Sequence, residues 1–400
     1  MRPGLRPALA ERLADARARL DRLEPGDTFD PRVPAAIVSA GLHLLPVPAA
    51  AGGLGGSMAE AAAVLTALGA VDGSLALGFA MHVHAAGSIA DSAMWPAATR
   101  ERLYRAIVED GALVNNAATE EGGGSPARGA IPGTIARPDP SGDGWRLTGE
   151  KTWTTWLPAL RFAFVSARFA NESPAVLGSF LVDLDGAGIE RRTGFEAMGM
   201  RASASGRLAL DGAHVPSDGL VSRRPATEPD PRGPAPGAWF AMAVAATYLG
   251  VGEGARTAVA RWARERRPGD GSRSVADVPT VQLRLGRLDA ALRTARIVLF
   301  EATRRWDEAG AAGSAQGAGG TGPGNSARAA LLPDLALAKI TATNAAVQAT
   351  DEAMRICGGP GFLAGPLERA FRDARAGLIN PPLDDIALTG FGRALLEGDQ

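Results

Sequence analysis

Apolar residues recur along this chain with two different periods, and the change of period divides it in three. From about Leu5 to Val114 the segments are rich in Ala and Leu; in ALAERLADARARLDRL, Leu9, Leu13, Leu20 and Leu23 return near helical spacing. This third predicts a helical bundle. From Asn115 to about Val221 the period shortens: GTIAR, WRLTG, RFAFVSARF, GSFLVDL and GRLALDG are short runs with alternating apolar positions, separated by turn-rich stretches such as PDPSGDG. After the Pro-rich RRPATEPDPRGPAPG the helical period returns. Leu285, Leu288, Leu292, Ala295, Leu299, Ala302 and Trp306 alternate gaps of three and four, one apolar face of a long helix. A second long helix is predicted from Pro333 to Cys357. The low-complexity GAAGSAQGAGGTGPGNSA between them reads as a flexible surface insertion near residues 310–328. The pattern is therefore mainly α with a central β unit: an N-terminal helical domain over 1–114, a small antiparallel β domain over 115–221, a linker over 222–237 and a C-terminal four-helix bundle over 238–400.

Composition narrows the function classes. At 400 residues and 46% hydrophobic content the chain can bury several packed units, and its net charge of −1 supplies no basic face for nucleic acid. Lys151 and Lys339 are the only lysines among 42 basic residues. One cysteine, Cys357, excludes an intrachain disulfide and a thiolate-rich metal site. The charged start, MRPGLRPALAERL, lacks the apolar run of a signal peptide, and the apolar stretch from Ala238 to Gly252 is shorter than the ~20 residues that span a bilayer. A cytoplasmic protein without a membrane span is expected. No His/Asp/Glu spacing resembles a metal site.

The order helices, β unit, helices, together with four segments, resembles the acyl-CoA dehydrogenase family. Those segments are Ala118-Thr119-Glu120 with the following EGGGSPARGA, LTGEKTWTT at Leu147 to Thr155, FEAMGMRASASGRLALDGAHVP at Phe195 to Pro216, and ICGGPGFLAGPLERAFRDAR at Ile356 to Arg375. The resemblance covers nearly the whole chain. It implies FAD as cofactor, an acyl-CoA or other acyl-thioester substrate, and removal of an α-proton with transfer of a β-hydride to the flavin. It places Thr119 at the flavin pyrimidine edge, Trp153 on the ring, Thr155 near N5 and Ser125 by the pyrophosphate. Gly358, Gly359 and Gly361 resemble the turn that approaches the adenine part of a neighbouring subunit's FAD, and Gln282 matches a Gln near the same cofactor. A homodimer or homotetramer follows, with electron-transfer flavoprotein or oxygen as the electron acceptor. GVGEG at Gly250 to Gly254 lies inside a helical pattern and is no dinucleotide fingerprint.

One departure matters. Aligned through Arg372-Asp373 and Arg393, Pro381 falls where most members of the family carry their catalytic glutamate, and Phe240 where others carry it. Neither side chain accepts a proton. Asp384 and Asp385 are the nearest carboxylates, candidates for the base, although Asp384 also reads as a helix N-cap with Asp385 in the first turn. His82 and His84 offer another route: two residues apart on one helix they face different ways, so one of them can line the site, with His82 carried as the candidate. The resemblance makes an acyl-CoA dehydrogenase, acting on the CH–CH group of an acyl thioester, the first expectation; a flavin-dependent monooxygenase on the same fold, or a protein that binds acyl thioester or flavin without turnover, are the alternatives.

Overall fold

The computed structural model describes residues 5–23, 26–92, 94–122, 130–269, 271–315 and 323–398. Its first helices are α1 (Pro7–Leu20), α2 (Arg32–Ser39), α3 (Met58–Gly69), α4 (Gly73–Ala90) and α5 (Ala97–Asp110). Ser57 and Glu60 form a reciprocal capping box at the start of α3, and the Asp72 carboxylate accepts the Leu75 amide at the start of α4. Helix α4 is buried over residues 73–89, the signature of a helix wrapped on all sides rather than amphipathic. Close approach needs its glycine: a Cβ on Gly78 would lie 2.0 Å from the Trp156 indole, which enters from the β unit.

That unit contains β1 (Val114–Ala117), β2 (Ile135–Pro138), β3 (Trp145–Thr154), β4 (Phe162–Phe169), β5 (Val176–Asp183), β6 (Ile189–Arg192), β7 (Gly206–Val215) and β8 (Leu220–Pro225). The strands lie in the order β6-β7-β3-β2-β4-β5-β8, with β1 also on β4. The pairings are antiparallel except at β4, which β1 and β2 both join in parallel. Strand β2 reaches only Arg168 and Phe169, leaving the amides of Phe162 to Val165 for β1. Strand β8 runs into what the sequence presents as linker, because the open edge of β5 offers it backbone partners. It ends at Pro225, which has no amide to donate.

Helices then follow: α6 (Ala235–Glu265), α7 (Pro279–Ala315), α8 (Pro323–Ala329), α9 (Leu332–Cys357), α10 (Gly359–Phe362), α11 (Pro366–Ala376) and α12 (Asp384–Glu397). The α7 face expected from the sequence is the buried one: Leu288, Leu292, Ala295, Leu299, Ala302 and Trp306 are all in the core. The stretch 310–328, expected as flexible insertion, is helical at both ends, in α7 to Ala315 and in α8, while residues 316–322 lie outside the described residues. Helix α6 is the one described helix long and apolar enough to cross a membrane, and 83% of its most apolar window is buried inside the protein. One carboxylate fastens four helices: Asp91, just past α4, accepts the indole N–H of Trp239 on α6 (2.8 Å) and of Trp306 on α7 (2.7 Å) and pairs with Arg328 on α8 (3.0 Å).

Candidate functional site

The ends of β1 and β3 meet beside α4 and α6. Asn115 Nδ2 donates to the Thr155 carbonyl at 3.0 Å, and the Thr152 amide donates to the Thr119 carbonyl at 2.8 Å, which sets Thr119 next to Trp153. Trp153 and Trp156 both adopt φ +58°, rare for bulky residues, so the strand end is twisted and successive side chains are re-aimed. Trp156 turns inward to full burial and Trp153 outward, 54% exposed, with its ring edge-on to Phe195 at 5.7 Å. Thr155 is buried, and its Oγ1 shares a proton with Ser205 Oγ (2.9 Å), which in turn meets Ser203 Oγ (2.8 Å). The hydroxyls of Thr152 and Thr154 are buried without hydrogen-bond partners. An open flat indole beside a line of short hydroxyls, some unsatisfied, fits a planar heteroaromatic group with polar edges such as a flavin. Ser125 lies outside the described residues.

Behind this rim stand the histidines, and the structure reverses their expected roles. His82 has both ring nitrogens committed: Nε2 donates to the His43 carbonyl at 2.9 Å and Nδ1 accepts the Val114 amide at 3.3 Å. Burial pushes it down to about 4, so it is a neutral pin between α4 and β1 with no atom left for a substrate. His84 turns instead toward β1 and α6. Its Nε2 is 3.2 Å from Asn116 Nδ2, and its ring meets Phe240 edge-on at 5.1 Å. With Asn116 donating, the ring proton sits on Nδ1, which is buried without a hydrogen bond of normal geometry, the Pro236 carbonyl lending it only slight support. Burial, and after it the charge of Arg232, push His84 down to about 3.

Of the carboxylates expected as bases, one is engaged by other side chains and the other is exposed. Leu383, not Asp384, is the N-cap of α12, and Asp384 spends its oxygens on the buried Lys339 ammonium (3.0 Å) and Asn344 Nδ2 (2.7 Å). A buried cation is a stronger attraction for that carboxylate than the amides of its own helix. Asp385 is exposed in the first turn of α12. The loop before them is tied down by the Tyr248 hydroxyl, which donates to Asn380 Oδ1 at 2.9 Å beside Pro381. Glu120 is also engaged, at 2.5 Å from the buried Lys151 ammonium and 2.6 Å from the Thr134 hydroxyl. Burial alone would raise Glu120, but these donors outweigh it and hold it below its ordinary value. Among the described residues, none of His84, Asn115, Asn116, Thr155, Ser203 and Ser205 is hydrogen-bonded to a carboxylate.

Gln282 in the first turn of α7 and Gly358 and Gly359 just past α9 are exposed, and nearby Arg284 on α7 pairs with Glu352 on α9 at 2.6 Å. Gly358 caps α9 at φ +62°, a conformation that requires glycine. Among the described residues, no hydrogen bond or ion pair joins these residues to Thr119 or Thr155. Sequence reasoning missed Asn115, Asn116, Ser203 and Ser205. For the serines a signal existed, since both lie in the segment Phe195 to Pro216.

Comparison with known proteins agrees with this architecture. Three family models match in order: "Acyl-CoA dehydrogenase, N-terminal domain" over residues 1–94, the middle domain over 115–213 and the C-terminal domain over 238–380. The chain is 33% identical over 354 residues to the putative acyl-CoA dehydrogenase YdbM of Bacillus subtilis, covering 87% of this chain and 85% of that protein. It is 29% identical over 349 residues to the amino sugar nitrososynthase RubN8 of Streptomyces rubradiris, covering 84% and 76%. Butyryl-CoA dehydrogenase of Megasphaera elsdenii has the same fold, with a TM-score of 0.83 at 20% identity over 99% of this chain and 100% of that one. Matched over its N-terminal, middle and C-terminal domains alike, the chain belongs to the acyl-CoA dehydrogenase family and is an FAD-dependent oxidoreductase.

Proposed function

We propose that this protein is a flavin-dependent monooxygenase acting on a substrate with a neutral, electron-rich atom, such as an amine nitrogen, rather than a dehydrogenase of acyl thioesters. The observation that carries this reading is the His84 imidazole set between Asn116 and Phe240. By resemblance Phe240 fills one of the two places where the family carries its glutamate, so His84 stands one ring away from where a base would work. A base for an α-proton must bind that proton firmly, and an imidazole held neutral down to about pH 3 does not. What His84 and Asn116 can do is donate and accept hydrogen bonds at zero net charge, orienting a neutral substrate and passing a proton without keeping it.

Reduced flavin supplies the two electrons with which one atom of dioxygen enters the substrate and the other leaves as water. The chain supplies the frame. Thr119, Trp153 and Thr155 hold the ring, with Gln282, Gly358 and Gly359 reserved for the cofactor of a neighbouring subunit. Phe240 and Pro381 exclude charge and water from the reacting face. RubN8, named for an amino sugar and not for a thioester, is a relative on the side of this reading.

The name of YdbM favours a second reading, acyl-thioester dehydrogenation without a strong base. A titration separates them. The FAD-loaded protein is mixed anaerobically with acyl-CoA thioesters and the visible flavin band is followed; separately, dioxygen uptake by the reduced protein is measured with and without a panel of amines. Bleaching by a thioester overturns the monooxygenase. No bleaching, with amine-dependent oxygenation of the product, sustains it.

A further inference from the structure

A carboxylate on α11 is connected to Thr155 through a chain of contacts. Asp373 on α11 is buried, 3% exposed, and one of its oxygens accepts the Met200 amide at 2.5 Å. Met200 (φ +54°) and Ala204 (φ +44°) are both left-handed without being glycine, so the turn between them is held in a costly shape that its surroundings must enforce. Those surroundings are specific. The Arg372 guanidinium donates to the Met198 carbonyl at 3.0 Å, and a Cβ on Gly199 would lie 2.5 Å from the Arg372 carbonyl, so α11 and this turn touch backbone to backbone. Inside the turn the Ser203 carbonyl accepts the Trp156 amide at 2.8 Å, and the Ser203 hydroxyl leads through Ser205 to Thr155. Asp373 also lines a cleft of about 690 Å³ between α1, α3, α6 and α11, with Asp72 and Arg369 beside it.

We infer that Asp373 is a positioning residue for the cofactor, fixing the Met200–Ser205 turn so that Ser203 and Ser205 aim the Thr155 hydroxyl at the flavin. The inference rests on the flavin lying against Thr155. Burying a carboxylate is unfavourable unless it is well paired, and here, besides the charges of Arg369 and Arg372, the described hydrogen bond goes to the backbone amide of a strained turn, an arrangement that maintains the turn's conformation. Thr155 carries the reach of the chain: its Oγ1 has Ser205 as its protein partner, so any displacement of the turn rotates the hydroxyl that meets the cofactor.

The test is the FAD dissociation constant and the visible spectrum of bound FAD, with the melting temperature measured alongside. Thr155→Ala comes first. If it leaves both affinity and spectrum unchanged, the placement of the flavin is wrong; if it changes them, the chain can be judged. Asp373→Ala is then expected to weaken FAD about tenfold and shift the flavin bands, while Asp373→Asn, which keeps an oxygen for Met200, stays within about threefold of wild type. Ser205→Ala combined with Asp373→Ala should weaken FAD no further than either alone, because both break one chain. Additive losses, or a lowered melting temperature with FAD affinity intact, overturn the inference. If Asp373→Ala does not fold, Ser203→Ala cuts the same chain at a lighter link: a weakened affinity or shifted spectrum sustains the inference, and unchanged values overturn it.

Discussion

Burial pushes the Asp373 carboxyl up to about 6 from the ordinary 3.8, with Asp72 adding to the rise and Arg369, Arg372 and the Met200 amide opposing it. The folded protein therefore holds that proton more tightly than the unfolded chain, and the stability gained is present in acid and lost as pH rises through this range. A residual cost on the order of 3 kcal/mol remains at neutral pH. Asp373→Asn removes the charge and keeps the acceptor, so in urea titrations it should be more stable than wild type at pH 7.5, the advantage vanishing near pH 4. His84 carries the opposite sign. Its folded value, pushed down to about 3, means that its contribution is present above its unfolded value of 6.5 and is lost as pH falls. His84→Gln should flatten the acid limb of the stability curve by about 1.4 kcal/mol per pH unit between pH 6 and 4. If His84 orients the substrate, His84→Leu lowers turnover about 100-fold with FAD affinity unchanged; loss of FAD affinity instead would make it a cofactor contact.

Among the elements, α12 shows how an expectation drawn from sequence can be correct about chemistry and wrong about partner. An acidic pair ahead of DIALTGFGRALL reads as a helix start, and α12 does start there. Its Asp384 nevertheless answers Lys339, a buried cation on α9. Two lysines are present in the whole chain, and both are buried and paired with carboxylates, Lys151 with Glu120 and Lys339 with Asp384. A lysine used so sparingly marks a place where a compact charge is needed inside. Asp384→Asn should therefore leave turnover near wild type, since both carboxylate oxygens are engaged by Lys339 and Asn344, while exposing α12 to limited proteolysis and lowering stability by about 1–2 kcal/mol, tempered by the partial exposure of the carboxylate. A large fall in turnover at unchanged stability would restore Asp384 as a base.

At the scale of the molecule, several of the exposed apolar residues lie on the last helices. Ile386, Leu388, Leu395 and Leu396 on α12 are 52–90% exposed, and Phe362 on α10 is 79% exposed. A surface of that character is normally covered by another chain. The exposed Gly358 turn and Gln282 share the C-terminal bundle with it, which suits a cofactor shared between subunits. Light scattering should give a dimer or tetramer, and Leu395→Glu with Leu396→Glu should shift it toward monomer and weaken FAD binding together; a monomeric wild type would remove the shared-cofactor arrangement.

The sequence by itself determined the helix, β and helix succession, because amphipathic periods are local and survive any packing: the α7 face from Leu288 to Trp306 and the α9 boundaries could be read directly. It also determined that two expected glutamate positions hold Phe240 and Pro381, which no fold can convert into a base. Tertiary structure decided the rest. Which of His82 and His84 is pinned by Val114 and which stands beside Asn116 is a matter of how β1 meets α4. The path from Asp373 to Thr155 spans Met200, Ser203 and Ser205, residues distant in sequence from both ends, and the strained turn that links them acquires its meaning only once α11 is packed against it. Hydrogen-bond partners are chosen by proximity in space, and a one-dimensional pattern carries no record of that choice.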